Sequence, residues 1–201
     1  MTTFIFLAFF ICLLLLVLRL ITNAVQGKDV VVLIRMILGL VAAYILLWLV
    51  FFAFRQDKEV PLGVDSCFDD WCAMVTGAEY PVTLGRPDRP VYPQGQFILL
   101  YVRMSNHARR VGQKPSFPRV VLLDARGRSW GYSERGQAAL EVSEGPQEPL
   151  DSYLAVHQSI ETGIVFDVPT DAKGLKARIE EGPPFLDYLL LPTTRQVVPL
   201  P

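Results

Sequence analysis

Apolar and polar positions are distributed very unevenly along this chain. Two nearly uninterrupted apolar runs, Phe4 to Ile21 and Val30 to Phe54, are separated by the short polar link Thr22 to Asp29. Each run is close to or longer than the roughly 20 residues that cross a bilayer as helix, so the pattern predicts a two-helix membrane hairpin. A cleaved signal peptide fits poorly, because no positive charge precedes Phe4 and no small-residue cleavage site follows the first run. From Val60 onward the pattern changes to short runs rich in β-branched and aromatic residues, bounded by Pro, Gly, Asp or Asn.

These runs predict strands over 71–75, 96–104, 118–124, 159–169 and 175–181. In the longest, Ile98, Leu100, Val102 and Met104 share one face, while Phe97, Leu99, Tyr101 and Arg103 share the other. One face is fully apolar, so this strand has a buried side. Gly127, between "VVLLD" and "SWGY", marks a hairpin with a short loop. The stretch 134–156 shows no clear period and is expected to form a long, partly irregular crossover with a short helical turn. Short strands punctuated by proline and glycine favour a β-sandwich. The predicted organisation is a transmembrane α-helical hairpin over 1–56, a linker over 57–66 and an all-β domain over 67–201.

Composition and charge narrow the function. Hydrophobic residues make up 51% of the 201-residue chain, an excess that the two long runs account for. Arg19, Lys28 and Arg35 cluster around the link between the runs, which predicts a cytoplasmic link with the N-terminus and the large domain outside the cytoplasmic membrane. Arg19 and Arg35 lie close enough to that end to reach the headgroups, so they do not mark an ion path. Gly39 and Ala43, four residues apart, offer a small-residue contact to another helix, with the first helix of the same chain as the expected neighbour and a second copy as the alternative. From residue 60 on, 14 Lys and Arg face 17 Asp and Glu, with no basic stripe or aromatic ladder, which argues against nucleic acid as a partner.

Three strands carry a resemblance. "GQFILLYVRMSN", "FPRVVLLDARGRSWGYS" and "TGIVFDVPTDAKGLKARIEEG", with Asn106, Asp124, Gly127, Trp130, Phe166, Val168 and Pro169 at their key positions, resemble the bacterial immunoglobulin-like domains of unknown function found in exported lipoproteins and membrane-anchored proteins. That family is similar in fold to a secreted mycobacterial immunoglobulin-like antigen. The resemblance covers roughly residues 67–191 and implies an immunoglobulin-like sandwich with an extracytoplasmic address. It implies no reaction and carries over no catalytic residue.

The segment "CFDDWC", Cys67 to Cys72, is the most conspicuous chemical feature. A thioredoxin-type redox motif needs two residues between its cysteines, whereas four intervene here. Zinc needs four ligands, and only the distant His107 and His157 are available besides the two cysteines. Asp69 and Asp70, adjacent on an extended segment, point to opposite faces and cannot flank one substrate atom. A calcium site would need spaced oxygen ligands around them, which the sequence lacks. The favoured reading is a disulfide closing a small loop in an oxidising compartment, with Cys12 embedded in the first apolar run. Asp151, Ser152, His157 and Ser159 lack the framing of a hydrolase, so no enzyme activity, cofactor or metal is expected.

The expected function is therefore capture of a protein or ligand outside the cytoplasmic membrane by loops or an exposed edge strand. The candidate surface comprises Asp69, Asp70 and Trp71 together with His107, Arg109 and Arg110 in the cationic stretch 106–114. The alternative is an accessory subunit of a membrane transporter or enzyme complex acting through the hairpin.

Overall fold

The computed structural model describes residues 2–54, 57–68, 70–182 and 196–201, so Asp69 lies outside the described residues. These residues fall into two compact units, the N-terminal helices and a unit that begins at Asp57.

In the first unit, helices α1 (Thr2–Val25) and α2 (Val31–Ala53) are long and apolar enough to cross a membrane. Neither contains proline, and their side chains are largely exposed to the surroundings. The Asp29 carboxylate accepts the Val31 N–H at 2.9 Å, satisfying one of the donors left open at the start of α2. Phe9 and Tyr44 stack at 4.2 Å between ring centroids, which places Tyr44 on the face of α2 that packs against α1. Gly39 and Ala43 are exposed, and nothing lies within 4 Å of where a Gly39 Cβ would stand. The expectation that α1 covers this pair is thus corrected: the larger side chains, not the small ones, make the contact between the helices.

The second unit is a β-sandwich. One sheet contains β1 (Lys58–Glu59), β11 (Gln196–Pro199), β10 (Lys176–Glu180), β7 (Arg119–Leu123) and β8 (Ser129–Trp130), in that spatial order. The other contains β2 (Ser66–Phe68), β3 (Trp71–Glu79), β6 (Gln96–Asn106) and β9 (Ser159–Val168), also in spatial order. A small hairpin of β4 (Leu84–Arg86) and β5 (Arg89–Val91) stands apart. Residues 57–66, expected to form a linker, are instead built into the sandwich. Lys58 and Glu59 pair in parallel with Gln196 and Val197, and Val60 is buried in the core.

The alternation in β6 explains the core. Ile98, Leu100, Val102 and Met104 are fully buried between the sheets, together with Phe166 and Leu122. On the opposite face, Phe97 and Leu99 pack with Leu140, Ala139 and Val165 in a second cluster. That cluster exists because 134–156 contains more order than its sequence suggests: α3 (Glu134–Glu144) runs three turns where only a short turn was expected. The Ser133 hydroxyl accepts the Gly136 N–H at 3.1 Å and starts α3 as its N-cap. The helix sits close on the sheet because Gly136 has no side chain; a Cβ there would stand 2.4 Å from Val165 Cγ1.

The turn between β7 and β8 is closed by Asp124, whose side chain is fully buried. One carboxylate oxygen accepts the N–H groups of Arg126 and Arg128, each at 2.9 Å, and the other accepts Arg128 Nε at 2.8 Å. Gly127 occupies the left-handed position of this turn at φ +78°. Burial alone would push the Asp124 carboxyl up, but the hydrogen bonds from the Arg128 side chain and the two backbone N–H groups hold it below the usual carboxylate range. Asp171 is held low as well, by the guanidinium groups of Arg128 and Arg126.

Candidate functional site

The candidate residues can be placed from the β2–β3 hairpin outward. Phe68 pairs with Trp71, and Cys67 falls directly opposite Cys72. Their sulfurs are bonded at 2.00 Å, closing the disulfide expected from the sequence. Because the ladder itself brings these positions together, the bond pins a hairpin tip that already has the required register.

Trp71 does not belong to the exposed surface. It is only 3% exposed, stacks on Phe68 at 4.7 Å and donates its Nε1–H to Glu181 Oε1 at 2.8 Å. Its place on the candidate surface is corrected by the register of β3, which turns the indole into the inter-sheet core. The polar N–H still finds a partner at the sandwich end, as a buried indole requires.

The cationic stretch meets the hairpin tip. The His107 N–H donates to the Asp70 carbonyl at 2.8 Å, and Gln113 Nε2 reaches Asp70 Oδ2 at 3.5 Å. The His107 ring, exposed, lies with Nε2 at 3.0 Å from the Ser105 hydroxyl. The two separate sequence stretches thus form one surface. What orders it is Asn106, 2% exposed, whose amide donates to the carbonyls of Val111, Leu154 and Ala155 while its Oδ1 accepts the Ala108 N–H. Gln113 and Leu154 exchange backbone hydrogen bonds beside it.

On this ordered frame Arg109 and Arg110 are exposed, and neither has an ion-pair partner among the described residues. Val111 and Tyr153 are about two-thirds exposed, at 63% and 66%. Gly112 makes room for Tyr153, whose hydroxyl would stand 1.9 Å from a Cβ at that position. Two unpaired guanidinium groups beside exposed apolar and aromatic surface form the type of patch that protein interfaces favour.

Of the residues weighed for hydrolysis, Asp151 and Ser152 are engaged elsewhere. Asp151 pairs with Lys114 at 3.5 Å, and the Ser152 hydroxyl donates to Glu148 at 3.2 Å. His157 is exposed, with its backbone in the left-handed region at φ 60°. Among the described residues, no group of three His, Cys, Asp or Glu side chains is placed to hold a metal ion.

Along β9, which lies at one edge of its sheet, part of the outward backbone is already paired. Gln137 brackets the strand, donating to the Gly163 carbonyl at 2.9 Å and accepting the Val165 N–H at 3.0 Å. Gln147 accepts the Gly163 N–H at 2.8 Å, and the Ser133 N–H donates to the Val165 carbonyl. Two glutamine side chains and one backbone amide thus occupy pairing positions that an added strand would need.

Sequence reading missed a cleft of about 780 Å³ at the side of the sandwich, between β9 and the segments flanking β7 and β8. Its apolar surface comes from Phe117, Tyr132, Leu150 and Ile164, while Glu141 and Glu148 contribute carboxylates. These residues come from separate parts of the chain, and no local period links them.

No family model matches the chain, and no curated protein matches it. Among solved structures, a conserved hypothetical protein from Bacillus anthracis is similar, with a TM-score of 0.50, 13% identity and coverage of 59% of this chain and 88% of that one. An uncharacterized β-sandwich protein from Clostridium difficile aligns with a TM-score of 0.48 and 11% identity, covering 73% of this chain and 96% of that one. The secreted protein MPT63 from Mycobacterium tuberculosis aligns with a TM-score of 0.47 and 13% identity, covering 72% of this chain and 98% of that one. At such identities the likeness concerns the fold alone.

Proposed function

We propose that the chain is a membrane-tethered binding or assembly module, with α1 and α2 spanning the cytoplasmic membrane and an immunoglobulin-like sandwich outside it. The partner is a protein with an acidic, partly apolar surface. It docks on Arg109, Arg110, Val111 and Tyr153, next to the hairpin tip at Asp70. The observation that carries this reading is the combination of order and unsatisfied charge: Asn106 fixes the backbone beneath two arginines that have no ion-pair partner among the described residues. An ordered loop loses little conformational entropy on binding, which favours recognition over solvation as its role.

The extracytoplasmic placement draws support from two directions. The Cys67–Cys72 disulfide is a bond of oxidising compartments, and Arg19, Lys28 and Arg35 lie around the link between the helices, whereas Arg55 and Lys58 beyond α2 are interleaved with Asp57 and Glu59. Affinity capture with the full chain and with an Arg109→Glu/Arg110→Glu variant tests the reading. The same partner should be recovered by the first and lost by the second, and recovery by both would remove the arginine surface from the account.

A second reading rests on Gly39 and Ala43. Because they lie off the face of α2 that meets α1, a helix of another protein has access to them, as in an accessory subunit of a membrane complex. Gly39→Leu with Ala43→Leu would abolish assembly on this reading and leave partner capture intact on the first.

A further inference from the structure

We infer that the side cleft of the sandwich binds a small organic cation, an ammonium group joined to an apolar or aromatic body. This site adjoins the cationic stretch at Lys114 but includes none of Arg109, Arg110, Val111 and Tyr153.

The volume of about 780 Å³ lies within the range of small-molecule sites, roughly 300–1,000 Å³. The mixture of surfaces then defines the ligand. Phe117 and Tyr132 line the cleft while remaining 70% and 59% exposed, leaving aromatic surface for an apolar body or a cation. Phe117 is held at φ 49°, a backbone conformation that bulky residues rarely adopt, with its ring outside the core.

The charge in the cleft is uncompensated. Lys114 pairs with Asp151, but Glu141 and Glu148 have no cation partner among the described residues. A cationic ligand matches that deficit, and an anionic one would add to it. Thr162 also lines the cleft, and its hydroxyl makes no hydrogen bond to the described residues and is open to the cleft.

An extended peptide is a poorer occupant. The outward N–H and C=O of Gly163 and Val165 are already taken by Gln137, Gln147 and Ser133, so a peptide would find no ladder to join at these positions. Recognition here must come from side chains, which suits a compact ligand.

The test uses the full chain in nanodiscs of zwitterionic lipid, with empty nanodiscs as the control. The probe is benzyltrimethylammonium, compared with phenylacetate, which has an aromatic ring and the opposite charge. Titration calorimetry should show saturable binding of the cation and none of the anion. Glu141→Gln with Glu148→Gln should weaken binding about tenfold or more, and Tyr132→Ala should do the same, given the strength of cation–π and charge contacts. The glutamine changes are isosteric and exposed, and an unchanged melting temperature verifies the fold. Absence of saturable binding, equal binding of phenylacetate, or indifference to both sets of substitutions would overturn the inference. The arginine surface is untouched in every arm, so failure here leaves that reading standing.

Discussion

The side-chain amide of Asn106 donates to the carbonyl of Leu154 at 3.0 Å, joining the end of β6 to a loop 48 residues further along the chain. The same amide also holds Val111 and Ala155, and its oxygen accepts the Ala108 N–H. One buried residue therefore sets the shape of the arginine loop. Asn106→Ala should lower unfolding free energy by about 3 kcal/mol, since several buried backbone groups lose their partner at once. Urea denaturation measures the loss, and amide hydrogen exchange at Ala108 should accelerate together with it.

The arginines should behave in the opposite way. Arg109 and Arg110 are exposed and have no ion-pair partner among the described residues, so Arg109→Glu/Arg110→Glu should change stability by less than about 0.5 kcal/mol while abolishing partner capture. Denaturation and affinity capture on the same preparation separate the two effects. A comparable loss of stability would show that these side chains serve the fold.

Replacing Cys67 and Cys72 together with alanine removes a cross-link spanning a sequence separation of 5. By the chain-entropy model so short a loop contributes about 2 kcal/mol, which a shift in the urea midpoint should report. Trp71 should keep its environment in this variant, because its stack on Phe68 and its bond to Glu181 do not depend on the sulfurs. Tryptophan fluorescence of the native state checks that point.

Gly136→Ala tests the contact between α3 and β9. Helix propensity alone would favour alanine, but its Cβ would meet Val165 Cγ1 at 2.4 Å and Val165 Cβ at 3.2 Å. The clash should dominate and cost about 1–3 kcal/mol, measurable by chemical denaturation. Stabilisation would mean that α3 can lift away without losing the Gln137 bonds to β9.

Acid should weaken the sandwich through Asp124 and Asp171. Both carboxyls sit below their ordinary value in the folded state, so the folded chain binds protons less readily than the unfolded one. Their contribution is present above the unfolded carboxylate range, near pH 4, and is lost as pH falls through the lower folded values. Asp124→Asn should therefore lower the melting temperature at neutral pH, and the gap from the unsubstituted chain should narrow below about pH 4. Thermal melts across that range give the result.

The legible parts of the sequence were those with a strong period. The two apolar runs and the alternation of β6 showed their structure directly, because both extend over several turns or pleats. α3 was harder to see, since its buried residues are only Gly136, Ala139 and Leu140, while its other large apolar residue, Val142, is exposed. β1 is just two residues long, and its role depends on β11, more than a hundred positions away. Trp71 was misplaced because a strand beginning at 71 does not by itself show which face its first residue takes, whereas the hairpin register turns it inward. Asn106 was visible as a marker at a strand end, but its acceptors at Leu154 and Ala155 are set by tertiary structure. The arginine loop and the cysteine hairpin were each visible as motifs; their meeting at His107 and Asp70 was not.

The central claim is that an oxidised sandwich is held outside the cytoplasmic membrane. Maleimide labelling of the full chain in intact cells, with a reagent that does not cross that membrane, tests it most directly. The account predicts labelling of Cys67 and Cys72 only after a reductant has been applied to the intact cells. Labelling that appears only once the cells are broken would place the domain in the cytoplasm and contradict both the topology and the function built on it.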